Sequence, residues 1–150
     1  MCFDEQTESL FDAPCWVIDF LPRQVPPESG SRFFPVEAYF LKHPRIDELY
    51  ARFARLILKL SCYYALLANR PPEDEWIPEP EPEALAALVG SCVSGEDPGR
   101  LLLLFPGENA LLTADGGDLC MALYNPSPEM LETVTSLAGA EGLFVREAAV

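Results

Sequence analysis

Covalent catalysis needs a nucleophile beside a base, and this sequence offers one histidine to act as one. His43 is followed by Pro44 at a helix boundary, where an imidazole is usually solvated or structural, and no GxSxG motif supplies an activated serine. The available thiols, Cys15, Cys62 and Cys120, each sit inside an apolar run, a setting that raises a thiol's pKa and keeps it inert. Zinc calls for Cys or His pairs at close spacing, and five cysteines at 2, 15, 62, 92 and 120 with one histidine provide no such pair. Glu73-Asp74-Glu75 and the alternating Glu and Pro of 79–83 lack the spacing and turn glycine of a calcium loop, while hairpin geometry accounts for the DGGD at 115–118. No phosphate-cradling glycine loop is present. The expectation is therefore no catalytic residue, no metal and no cofactor, with the balance leaning away from an enzyme.

Binding chemistry is more legible than catalysis. The net charge is −14, which repels nucleic acid and anionic membrane from the surface as a whole. The distribution is uneven. Residues 31–70 hold seven bases against three acids, net +4, whereas 71–98 hold eight acids and no base. Arg45, Arg52, Arg55 and Lys59 form a basic stripe at helical spacing, the one place for an anion to dock; it could equally be a solvated face or pair with the chain's own acidic segment. Past Lys59 the stripe turns apolar at Cys62, Tyr63 and Leu66, and Trp76 interrupts an acidic, proline-rich stretch. Tyr63, Leu66 and Trp76 are thus the candidate contact residues for a partner. The other aromatics of the first half, among them Phe33, Phe34, Tyr39 and Phe40, are expected in the core.

The elements that must position these residues follow from periodicity. Ile46, Leu49, Phe53, Leu56, Ile57, Leu60, Tyr64 and Leu67 fall on one face at about 100° per residue, which predicts a long central helix over about 44–68. Residues 15–21, bounded by prolines, read as a strand; 23–31 as a loop; Pro35 as the opening of a short helix that ends before His43-Pro44. The Pro/Glu-rich stretch at about 70–83 should be an extended loop close to polyproline II. Pro82 opens a helix through Cys92, closed by Ser94-Gly95. From Arg100 three apolar runs separated by PGEN and DGGD predict a β-meander over about 100–124. Ser127 caps a further helix with Pro128 at its first position, and a last strand lies near 142–147.

The sum is an α+β fold: an antiparallel or mixed sheet of four to five strands, with helices packed mainly on one face. A chain of 150 residues, half of them apolar, is ordinary for a single domain able to bury about two-thirds of its unfolded surface. No apolar run reaches the roughly 20 residues of a spanning helix, no signal peptide is read at the acidic start, and the odd, scattered cysteines suit the cytosol. The functional expectation is a small acidic cytosolic protein-interaction domain, an adaptor, an inhibitor or a self-associating module, whose partner is another protein or a second copy. The alternative is a small enzyme or ligand-binding domain with a pocket between the long helix and the sheet, where His43, Tyr39 or Arg45 meets an anionic ligand.

Overall fold

The computed structural model describes residues 2–73, 75–96, 99–116 and 119–148. Its elements are α1 (Phe3–Leu10), β1 (Cys15–Asp19), α2 (Gly30–Leu41, entered through a 3₁₀ turn), α3 (Arg45–Leu60), β2 (Leu67–Asn69), β3 (Ile77–Pro78), α4 (Pro82–Ser94), β4 (Arg100–Phe105), β5 (Ala110–Asp115), β6 (Cys120–Tyr124), α5 (Pro128–Ala140) and β7 (Phe144–Glu147). Gly117 and Asp118 of the second meander turn, Asp97 and Pro98 of the turn after α4, and Asp74 of the acidic loop lie outside the described residues.

The strands form one sheet in the order β3-β2-β4-β5-β6-β1-β7, and every neighbouring pair is antiparallel. The meander stands as expected, with Leu103 opposite Leu112 and Leu112 opposite Leu123. A mixed sheet does not arise, because β1 inserts between β6 and β7 and separates the two strands that α5 connects. Side chains alternate across β4. Leu101, Leu103 and Phe105 join the main core with Phe53, Leu56 and Ile57 of α3, Val89 of α4 and Val134 of α5. Leu102 and Leu104 face the other way and pack with Leu67, Leu111 and Leu10 of α1. That double coverage is why the run RLLLLF is apolar without alternation. Helices α3, α4 and α5 share the main core face, and α1 covers part of the other.

Two short strands account for seven instead of four to five, and both correct the sequence reading. The central helix ends at Leu60, not near residue 68. Ser61 caps it, Cys62 and Tyr63 donate to the carbonyls of Lys59 and Leu60 in a closing turn, and the chain then enters the sheet as β2 beside β4. The run YYALLAN contains no Gly or Pro to announce the stop, and its apolar residues satisfy a buried strand as well as a helix, so sheet pairing decides. Within the acidic loop Ile77 and Pro78 pair with β2 as β3. Burial of the thiols also differs: Cys62 is exposed, Cys15 and Cys120 are half-buried, and Cys92 is the fully buried one.

The remaining helices follow local chemistry. Ser127 Oγ accepts the Met130 amide at 3.1 Å, the N-cap expected for α5. Gly95, at φ 80°, closes α4 in the left-handed conformation glycine permits. Gly90 admits the Tyr50 ring where α3 and α4 pack: a Cβ there would lie 3.1 Å from Tyr50 Cδ2. Helix α2 begins at Gly30, five residues before Pro35, so Pro35 lies inside it and removes the bond an N–H would make to the carbonyl four residues back.

Candidate functional site

Helix α2 carries Phe33, Phe34, Pro35, Val36, Tyr39, Phe40 and Leu41, yet none of its twelve residues is buried. Phe40 turns toward Phe20, with ring centroids 5.5 Å apart, and it and Leu41 pack at the edge of a small cluster with Ile46, Leu49 and Leu119. Phe34 is 65% exposed, Tyr39 53% and Val36 47%. Three of the seven large apolar side chains open to water among the described residues thus stand on one helix; Val36 and Tyr39, three residues apart, share one side of it, and Phe34 lies well round the axis from both. Phe34 and Tyr39 were expected in the core; apolar residues placed right round a short helix cannot all face one core.

Basic groups frame this helix. The Arg45 guanidinium lies over the Tyr39 ring at 3.7 Å from its centroid, and its Nε donates to the Tyr39 carbonyl at 2.7 Å. That contact ties the end of α2 to the start of α3 and holds a positive charge against an exposed aromatic face. Arg32, bonded to Ser29 Oγ at 2.6 Å, and Lys42 stand on the same helix and its C-cap. Beside the first turn of α2 a cleft of about 300 Å³ opens between Phe33, Phe34, the 24–27 loop and the end of β1, with Asp19 and Arg146 in its wall. Arg146 donates to Asp19 Oδ2 at 3.1 Å, and both side chains are largely buried. Arg146 Nε is shut off from water and has no hydrogen-bond partner among the described residues. Gly30 lets the Phe34 ring lie close against the helical wall of the cleft, since a Cβ there would meet the ring at 3.3 Å.

The residues singled out from the sequence are dispersed. Leu66 is 2% exposed and belongs to the main core, so it offers nothing to a partner. Tyr63 is 66% exposed and lies over a shallow depression with Glu132, Ser136 and Leu137 of α5. Trp76 is half-buried: its Nε1 donates to Asp4 at 2.9 Å and its ring meets Phe3 edge-on, so α1 anchors the acidic loop. The basic stripe is split among separate partners. Arg45 serves Tyr39, Arg52 pairs with Glu48 at 3.2 Å, and Arg55 and Lys59 both reach Glu141, each at 2.7 Å. Among the described residues, the acid answering the lower stripe thus comes from the end of α5 and not from 71–83. Glu141 is held below the usual carboxylate range, first by the Lys59 bond and also by Arg55.

His43 is two-thirds exposed, with Nδ1 3.4 Å from Asp47 Oδ1. Burial pushes the Cys15 thiol up despite a hydrogen bond from Tyr124, and the Tyr124 phenol rises as well, so the pair stays neutral. No group of three or more His, Cys, Asp or Glu among the described residues is placed to hold a metal ion. The interface of α3 with the sheet is closed: Phe53, Leu56, Ile57 and Leu60 are 0% exposed. No described helix is long and apolar enough to cross a membrane. Comparison with known proteins adds no lineage: no family model, no curated protein and no solved structure matches the chain.

Sequence reasoning missed the exposure of Phe34 and Val36 and the pairing of Asp19 with Arg146, which are 127 residues apart. A signal for the first was present, because the apolar residues of 33–41 follow no single-face period.

Proposed function

We propose that this chain is a protein-interaction domain that docks another protein on α2, with Val36 and Tyr39 as the apolar contact and Arg32, Lys42 and Arg45 as its basic frame. The observation that carries the reading is an apolar twelve-residue helix with no buried residue. The fitting occupant is a surface with apolar side chains among acidic ones. In a chain of net charge −14, this region is where an acidic partner meets attraction. A second copy, itself strongly acidic, is disfavoured by the same argument. The reading keeps the interaction role expected from the sequence but moves the surface away from Leu66 and Trp76; it keeps the cytosolic location on the ground of the odd, unclustered cysteines.

Site-directed photo-crosslinking in cells tests it. With benzoylphenylalanine in place of Val36, a discrete adduct with an acid-rich protein is expected, absent when the probe replaces Thr135 on α5 and lost in a Tyr39→Asp background. Adducts shared with the Thr135 probe, indifferent to Tyr39→Asp, or made only with a second copy of this chain would overturn the reading.

A further inference from the structure

The two edges of the sheet are finished differently. The β3 edge is two residues long, contains Pro78 and is followed by Glu79, all devices that discourage pairing with another strand. The β7 edge has none of them on its apolar half: Phe144, 43% exposed, and Val145 lead the strand, and no proline or lysine interrupts it.

The hydrogen-bond pattern shows what β7 offers. The Ala148 amide donates to the Cys15 carbonyl at 3.0 Å, which fixes these two as a hydrogen-bonded pair in the register that sets Arg146 opposite Val17 and Phe144 opposite Asp19. In an antiparallel ladder such pairs alternate. The N–H and C=O groups of Phe144 and Arg146 therefore point into the sheet, and those of Val145 and Glu147 point out of it. No bond from a described residue meets that outer row. An extended main chain supplies two donors and two acceptors at the matching spacing; a helix or a small ligand does not.

A side-chain pocket adjoins this edge. On an incoming strand, residues opposite Phe144 and Arg146 stand on the same sheet face as those two side chains. That is the face of the cleft walled by Asp19, Arg146, Phe33 and Phe34. Its volume of about 300 Å³ lies at the low end for ligand pockets, suited to one large apolar side chain. The Asp19–Arg146 pair is neutral overall and presents an acceptor beside a donor, so it favours amide groups over a free carboxylate, which would gain Arg146 and face Asp19.

We propose that β7 and this cleft bind an extended, uncharged segment of another polypeptide by strand addition, its main chain paired to Val145 and Glu147 and one apolar side chain seated between Phe33 and Phe34. This site is independent of docking on the outer face of α2. The segment class is set by main-chain complementarity at the edge and by the neutral, apolar cleft beside it.

The test is selection from a random peptide library displayed on phage, followed by binding measurements on the synthetic peptides. Enriched peptides with a large apolar residue are expected. N-methylation at every second residue should weaken them roughly tenfold or more in one register and little in the other. Val145→Pro, which removes an outward N–H at a position where an edge strand accepts proline together with a valine packed on the main core, should cause a comparable loss; Tyr39→Asp should not. Circular dichroism of Val145→Pro guards against misfolding, and the N-methyl series decides the matter on the unaltered protein. No enrichment, equal binding to folded Val145→Pro, or indifference to the methylation register would overturn the proposal. So would a concentration-dependent dimer that Val145→Pro dissolves, since the edge would then belong to a second copy. Failure of α2 crosslinking with peptide binding intact would reject the other reading alone.

Discussion

Helices α2 and α3 follow one another in the chain, are both rich in large apolar residues, and reach opposite states of burial. Seven of the sixteen residues of α3 are buried, and none of the twelve of α2. The difference lies in placement, not in amount. In α3 the apolar residues Ile46, Leu49, Phe53, Leu56, Ile57 and Leu60 recur at steps of three and four, a stripe one sheet face can seal. In α2 they spread round the axis, so packing Phe40 and Leu41 against the domain leaves Val36 and Tyr39 open to water, and Phe34 stands exposed in the wall of the cleft. An amphipathic helix is completed by its own fold; a helix apolar all round at the surface of one is completed by something else.

That contrast can be broken most directly from the α3 side. Phe53→Ala removes a side chain with 0% exposure at the centre of the main core and should cost about 3–5 kcal/mol, read as a lowered urea midpoint and a melting temperature down by roughly 10 °C. A loss below about 1 kcal/mol would mean that α3 is not sealed as described. Leu66→Ala comes next: as a core residue it should destabilise by about 2–4 kcal/mol while leaving partner capture by α2 intact, whereas a docking residue would do the reverse.

Glu141→Gln probes the polar side of α3 and should cost about 1 kcal/mol, because Arg55 and Lys59 lose their shared carboxylate. The sign with pH is fixed by the depressed pKa. The folded carboxylate titrates below its ordinary value of 4.5, so its contribution is present above that value and fades as pH falls through the folded pKa. Urea titrations at neutral pH and near pH 3 should show wild type and variant converging in acid; a gap that widens there would refute the assignment. The smallest stability effect belongs to α2. Phe34→Ser should shift stability by less than about 0.5 kcal/mol and leave crosslinking through position 36 in place, while weakening peptides bound at the cleft. A loss of several kcal/mol would show Phe34 working as core.

Legibility in the sequence tracks how local the deciding force is. The meander, the Ser127 cap, the α4 stop at Gly95 and the start of α3 all rest on residues within a turn or two of one another, and they stand where pattern and turn chemistry put them. The end of α3 is not local: residues 61–69 become turn and strand because β4 waits beside them with Leu102, Leu103 and Leu104. Helix α1 escaped notice because its apolar contribution is little more than Leu10 and Phe11, which pack on the far sheet face. Of the candidate site, Arg45 and Tyr39 were legible as a base beside an aromatic, but the placing of Tyr39 outside, Trp76 against Asp4 and Arg146 against Asp19 depend on tertiary proximity that no spacing encodes.

The place of β1 also governs the order in which the molecule can be completed. Its neighbours on both sides, β6 and β7, are made more than a hundred residues later. A ribosome has therefore released Trp16, Ile18 and Phe20 long before anything exists to pair with them, while the meander it synthesises in between can close as each hairpin emerges. The meander can close first, β1 can join it once β6 has emerged, and β7 then adds outside β1, so the interval before residue 124 is the one in which the first strand carries its apolar side chains without a neighbour.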